Sequence, residues 1–149
     1  MKKFILNGKE IFISSSVISL IETFKQYDSR KNESGGVLVG QIKDNKVYIL
    51  KISIPNKFDR ASRYRFECTK DAAQIIMDYE FYNSGGKSIY IGEWHTHPEE
   101  TPQPSRDDKA MIKEQFKKNK LNEPFLILLI QGLNDLYIAL YDGKTLYTS

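Results

Sequence analysis

Apolar positions fall into two rhythms along the chain. Phe4 to Leu6 and Ile11 to Ile13 are short β-rich runs on either side of Asn7-Gly8, a dipeptide suited to a two-residue hairpin turn. Ser14-Ser15-Ser16 then offers N-cap oxygens. Val17, Leu20, Ile21 and Phe24 follow at helical spacing and predict a first helix from about Val17 to about Gln26. The polar run Tyr27 to Asn32 is a loop leading into Glu33-Ser34-Gly35-Gly36, after which Val37 to Ile42 and Val47 to Ile54 read as a hairpin turned at Asp44-Asn45.

Beyond Pro55 the pattern loosens. Asn56 to Arg63 is irregular, and Tyr64 to Phe66 predicts a short strand. From Thr69 a second helix is expected, with Ala72, Ile75, Ile76, Tyr79 and Tyr82 on its packed face and a stop at Asn83-Ser84-Gly85-Gly86. Ser88 to Trp94 predicts a buried strand. Pro98, Pro102 and Pro104 keep the following segment extended or turned. A third helix is predicted from about Arg106 to about Lys118, with Ala110, Ile112 and Phe116 inward. Phe125 to Gln131, Leu136 to Tyr141 and Thr145 to Tyr147 close the sheet, with turns at Gly132 and Asp142-Gly143. With no repeat, low-complexity tract or linker, the expectation is one α/β domain over residues 1–149 with a mixed or largely antiparallel sheet.

Composition narrows the class. At 149 residues, 40% hydrophobic and 28% charged, the chain can bury a core without metal or disulfide staples. The net charge of +3, from 22 basic and 19 acidic residues, is balanced and scattered, so it does not argue for nucleic acid. Lys117-Lys118 and Lys120 read as a solvated helix end favoured by the dipole. The single cysteine, Cys68, excludes an intramolecular disulfide and reads as a buried thiol in a reducing compartment. After Lys2-Lys3 the apolar run is too short for a signal peptide or a membrane span, so a cytoplasmic protein with no membrane partner is expected.

Candidate chemistry concentrates in Gly92-Glu93-Trp94-His95-Thr96-His97-Pro98 and the segment through Asp108. The two histidines of the chain are both here. Residues two apart on a strand project to one side, so His95 and His97 can present nitrogens to one point, as zinc requires. Ser105 and Asp108 are neighbours on the first turn of a helix. If that turn folds back over the strand end, Asp108 supplies a carboxylate ligand and Ser105 a hydroxyl for a developing oxyanion. Hydrolysis also needs a proton carrier. Glu33, Glu93 and, on a mobile loop, Glu99 and Glu100 are candidates. Glu93 shares strand parity with His95, but its place inside the strand suggests a pairing or hydrogen-bond role, and spacing alone does not choose Glu33.

Plainer readings compete. Ser105-x-x-Asp108 is also a helix N-cap signature, Trp94 reads as core, and Gly35-Gly36 reads as close backbone packing, not phosphate binding. The conjunction of both histidines, the prolines and a helix-start carboxylate favours the metal site.

His95-Thr96-His97, seven residues, Ser105, two residues and Asp108 resembles the JAMM motif, also called JAB or MPN+, of zinc-dependent isopeptidases. Glu33, followed by Ser-Gly-Gly-Val-Leu-Val-Gly, looks like that family's upstream glutamate. The resemblance implies a cytidine-deaminase-like fold, a mixed curved sheet flanked by helices. It implies one zinc ion held by His95, His97 and Asp108, Glu33 as general acid/base and Ser105 as oxyanion support. The implied reaction is hydrolysis of the isopeptide or peptide bond after the C-terminus of a ubiquitin-like protein. The Gly-Glu-Trp-His-Thr-His-Pro segment looks most like stand-alone bacterial JAB peptidases. These accompany E1/E2-like enzymes in anti-phage operons of the CBASS type and release a conjugated nucleotidyltransferase. Two other readings share features with the motif: a non-catalytic MPN-type interaction scaffold and a RadC-like DNA-associated protein.

Overall fold

The structure, a computed structural model, describes every residue except 29, 57, 58, 64, 68, 69 and 119–122, and leaves out the side chains of 65 and 67. The expectations for Cys68 and Lys120, and for the element ends at Tyr64 and Thr69, therefore lie outside the described residues.

Strands β1 (Lys2–Leu6) and β2 (Lys9–Ile13) form the expected hairpin, with Asn7 at φ 48° and Gly8 at φ 75° in its turn. Positive φ at both positions matches the twist of the flanking strands. Ser14 caps α1 (Ser15–Glu22), its Oγ accepting from the Val17 N–H at 3.2 Å. The helix ends short of Gln26. The N–H groups of Thr23, Phe24 and Lys25 bond to carbonyls three residues back, a tightening that unwinds the last turn. Phe24 is released to pack on Trp94, ring centroids 5.5 Å apart, and Gln26 is buried outside the helix.

Next come β3 (Gly35–Lys43) and β4 (Lys46–Ile52), then a separate antiparallel pair of β5 (Arg60–Ser62) and β6 (Arg65–Glu67). Helix α2 (Lys70–Asn83), strand β7 (Ile89–Thr96) and helix α3 (Arg106–Lys118) follow. Strands β8 (Leu126–Gln131), β9 (Leu136–Tyr141) and β10 (Leu146–Thr148) complete the chain. Eight strands form one curved sheet in the order β1-β2-β4-β3-β7-β8-β9-β10. It is mixed, since β2 with β4 and β7 with β8 run parallel and the other neighbours antiparallel. A parallel pair needs a long crossover, and between β7 and β8 that crossover contains α3. A helix returning along its strand starts near the strand's C-terminal end, which places the first turn of α3 beside His95 and His97.

Strand β8 shows why the sheet is covered on both faces. Ile127 and Leu129 face one core with Leu38, Ile91, Trp94 and α1, whereas Leu126, Leu128 and Ile130 face a second core with Ile112 of α3 and Tyr141. A strand buried on both sides reads as a continuous apolar run, as Phe125 to Ile130 does.

Two helix faces differ from expectation. On α2, Ile75, Tyr79 and Tyr82 are 69%, 64% and 80% exposed, while the expected Ala72 and Ile76 are partly buried together with Ala73, Met77 and Glu80. Apolar residues lie on several sides of this helix, so periodicity selects a stripe without fixing which one meets β3 and β7. On α3, Ala110 is exposed, and Met111 joins Ile112 and Phe116 against the sheet. No helix among the described residues is long and apolar enough to cross a membrane.

Candidate metal centre

The pairing of β3 with β7 builds the site. Gly35 lies opposite His95, Gly36 opposite Trp94 and Val37 opposite Glu93. A Cβ at Gly35 would stand 2.6 Å from the Trp94 carbonyl oxygen and 3.0 Å from His95 Cδ2, so only glycine allows this approach. The same register carries Glu33, just ahead of β3, to the end of β7. There the Ser34 N–H donates to Thr96 Oγ1 at 2.9 Å and the Thr96 N–H to the Ser34 carbonyl at 2.9 Å. Thr96 Oγ1 in turn donates to Gln26 Oε1 at 2.9 Å, and Gln26 Nε2 donates to the carbonyls of Lys31 and Arg63 at 3.1 and 2.7 Å. Thr96 points away from the histidines, and its buried chain of bonds anchors the strand carrying them to the segment carrying Glu33.

Helix α3 delivers the carboxylate. Ser105 Oγ accepts from the Asp108 N–H at 3.0 Å, and Asp108 Oδ2 accepts from the Ser105 N–H at 2.9 Å, a reciprocal cap. The capping reading of Ser105-x-x-Asp108 is therefore realised, and the same geometry aims Asp108 into the site. Its Oδ1 lies 3.2 Å from His95 Nδ1 and its Oδ2 3.0 Å from His97 Nε2. Glu33 Oε1 lies 3.5 Å from His95 Nδ1. Glu33, His95, His97 and Asp108 are all buried, while Ser105 is exposed at the rim.

The other glutamates take different places. Glu93, one strand repeat before His95 on the same face of β7, accepts from Tyr90 Oη at 2.9 Å. Glu99 Oε1 lies 3.0 Å from His97 Nδ1, where it orients the ring and fixes which nitrogen faces Asp108. The Glu100 carbonyl accepts from the N–H groups of Asn134 and Asp135, and its carboxylate accepts from the Asn134 side chain. The loop expected to be mobile is thus tied to the β8–β9 turn. The Leu133 N–H donates to the Glu99 carbonyl at 2.7 Å, and Thr101 Oγ1 to Asp135 Oδ2 at 2.7 Å. Gln26, Thr96 and Glu99 as positioning groups escaped sequence reasoning. The usable signal was Thr96, polar and of opposite strand parity between two histidines.

Burial pushes the Glu33 carboxyl up to about 8; the charge of His97 opposes that rise and the charge of Asp108 adds to it. Burial likewise pushes Glu93 up to about 8 against the bond from Tyr90. For Asp108, burial works upward, but hydrogen bonds to His95 and His97 prevail and hold it well below the usual carboxylate range. Burial works downward on His97, and its bond to Asp108 and the charges of Asp108 and Glu33 leave it raised.

These donors fit a divalent transition ion. Glu33, His97 and Asp108 each offer a ligand atom within 4.8 Å of the other two, and His95 Nδ1 borders both carboxylates. Among the described residues, buried Glu33 Oε2 has no hydrogen-bond partner and no lysine or arginine pairs with Glu33 or Asp108. Two buried carboxyls facing two imidazoles, one with an unsatisfied oxygen, suit a cation. Geometry and motif differ on one point. The tightest trio includes Glu33, whereas the motif assigns His95, His97 and Asp108. Two nitrogens and one oxygen are the better zinc set, and they leave a carboxyl free beside it.

Fold and site together define the class: the chain belongs to the prokaryotic homologs of the JAB domain, which its residues 21–139 match. Among its relatives is a CD-NTase/cGAS isopeptidase from Pseudomonas aeruginosa, 33% identical over 129 residues, covering 85% of this chain and 81% of the relative. A CD-NTase/cGAS isopeptidase from Escherichia coli is 34% identical, covering 87% and 80%. A probable metalloprotease from Sinorhizobium fredii is 28% identical, covering 83% and 77%. The solution structure of protein DSY2949 from Desulfitobacterium hafniense superposes with a TM-score of 0.66 at 18% identity, covering 93% of this chain and 89% of the other, a likeness of fold.

Proposed function

We propose that this chain, as a single domain, is a zinc-dependent isopeptidase that releases a protein conjugated through its C-terminus. The observation that carries the reading is the buried meeting of Glu33, His95, His97 and Asp108, with Glu33 Oε2 left without a partner among the described residues. His95, His97 and Asp108 would hold the ion. Bound zinc supplies Lewis acidity and a water whose pKa falls to about 7.

The protein's own groups do the rest. Burial raises Glu33 to about 8 in the metal-free protein, and a cation held beside it would draw it back down. That balance suits a group that takes a proton from the attacking water and returns it to the leaving amine. Ser105 Oγ accepts from the Asp108 N–H, so its own proton is free to meet an oxyanion at the rim. Glu99 keeps His97 in one tautomer.

Relatives named CD-NTase/cGAS isopeptidases support a conjugated CD-NTase as the substrate, and the motif's resemblance adds E1/E2-like enzymes as the source of the conjugate and a cytoplasmic setting. The experiment is cleavage of such a purified conjugate. Release by the zinc-loaded protein, abolished by chelation and in Glu33→Ala, is expected. Release by the metal-free protein, or none by the zinc-loaded protein, contradicts the proposal.

A further inference from the structure

Beside the metal centre, on the same face of the sheet, a cavity of about 510 Å³ opens between α2 and α3. Its floor is the sheet, formed by Val37, Ser88, Tyr90 and Glu93. Glu93 faces it by strand parity with His95, and Tyr90 joins it because β7 carries a bulge: Leu38 pairs with Gly92 and Val39 with Tyr90, leaving Ile91 extra. Gly92 takes φ 151°, and a Cβ there would stand 1.8 Å from the Ile127 carbonyl oxygen. The bulge brings Tyr90 and Glu93, three apart, onto one face, where their side chains bond at 2.9 Å.

That cavity continues the active face. Glu93 and His95 share strand parity and lie about 7 Å apart along β7. Asp108 and Gln115 of α3, two turns apart on one helix face, border the metal centre and the cavity respectively.

Its charges are unevenly placed. At the mouth both signs occur: Lys118 pairs with Glu114 at 2.6 Å, and α2 brings Lys70 and Asp78. On the floor the only acidic or basic side chain is Glu93, 7% exposed, with one oxygen bonded to Tyr90 and the other without a hydrogen-bond partner among the described residues. Between mouth and floor, α2 contributes an apolar wall of Ala73, Met77 and Phe81, while Gln74 and Gln115 add neutral amides. An apolar wall leading to a buried carboxyl, with neutral amides beside it, matches an aliphatic stem ending in a cation.

We propose that this cavity is a substrate subsite that takes a lysine or arginine side chain of the conjugate, close in sequence to the scissile bond, with its cationic head on Glu93. The inference rests on the isopeptidase reading for its place beside the scissile bond.

The test uses zinc-loaded protein and synthetic isopeptide-linked peptides in which each position flanking the scissile bond is in turn arginine, norleucine or glutamate. At one position arginine should raise kcat/KM over norleucine by roughly tenfold, the size of one charge-assisted contact. In Glu93→Gln, and in Ala73→Phe, which fills the cavity from α2, that ratio should fall towards one. Equal rates for arginine and norleucine at every position, or an unchanged ratio in both variants, would overturn the proposal. If no peptide is cleaved, the isopeptidase reading fails, and binding followed by NMR decides the subsite alone. Tighter binding of an arginine peptide, shifting the Tyr90 and Met77 amides and lost in Glu93→Gln, supports it; equal affinity of arginine and norleucine peptides overturns it.

Discussion

Glu33 Oε1 meets His95 Nδ1 at 3.5 Å although the two residues belong to different ends of two antiparallel strands. The contact exists because Gly35 lies opposite His95 and has no side chain to hold the strands apart. If Glu33 is the proton carrier, Glu33→Gln keeps the shape and loses the proton. Activity should fall by roughly a hundred- to ten-thousand-fold while zinc content and Tm stay near wild type. Retained activity in Glu33→Gln would remove that role.

Gly35→Ala places a Cβ against the Trp94 carbonyl and the His95 ring. Overpacking of this kind costs about 1–3 kcal/mol, and here it also pushes Glu33 from the histidines. Denaturant unfolding and zinc titration should both report loss, whereas Gly8→Ala, in an open turn, should leave zinc affinity alone.

Thr96→Val removes the hydroxyl shared by the Ser34 N–H and Gln26. Leaving those buried groups unmatched costs about 1–3 kcal/mol. Because Thr96 does not face the site, the loss should appear as lowered stability and lowered kcat with zinc stoichiometry intact.

Glu99→Gln weakens the hold on His97 Nδ1 without removing a ligand. Zinc affinity should drop by roughly ten- to a hundred-fold, measured by competition with a chelator. An unchanged affinity would make the Glu99 contact incidental.

In the metal-free protein, Glu33 and Glu93 move from 4.5 when unfolded to about 8 when folded. Between those values the folded chain binds more protons than the unfolded one, so stability falls as pH rises. His97, also raised, acts in the same direction above its ordinary value. Asp108, lowered, contributes stability that is lost only on strong acidification. Thermal melts should show Tm falling from roughly pH 5 to pH 8, and zinc, which selects deprotonated ligands, should flatten the fall.

Much of the fold was readable because hairpin turns and buried strands carry local signals, as Asn7-Gly8, Asp44-Asn45 and Phe125 to Ile130 show. Helix faces were less so. Ile75, Tyr79 and Tyr82 are apolar and periodic yet exposed, since pattern alone does not say which stripe a sheet covers. The histidine pair and Asp108 announced themselves by spacing and by a capping signature that the fold uses. Glu33 needed the family resemblance, because only the β3–β7 register brings it in. The hydrogen-bonding role that its place inside the strand suggested for Glu93 is met by Tyr90, a partner that strand parity does not name because the bulge in β7 brings it to that face.

The most direct test of the metal centre is anomalous diffraction at the zinc edge from zinc-loaded crystals. The account predicts one zinc per chain, bound by nitrogens of His95 and His97 and an oxygen of Asp108 at roughly 2.0–2.2 Å, with Glu33 alongside but uncoordinated. An ion held by Glu33 in place of His95, or no ion at all, would contradict it.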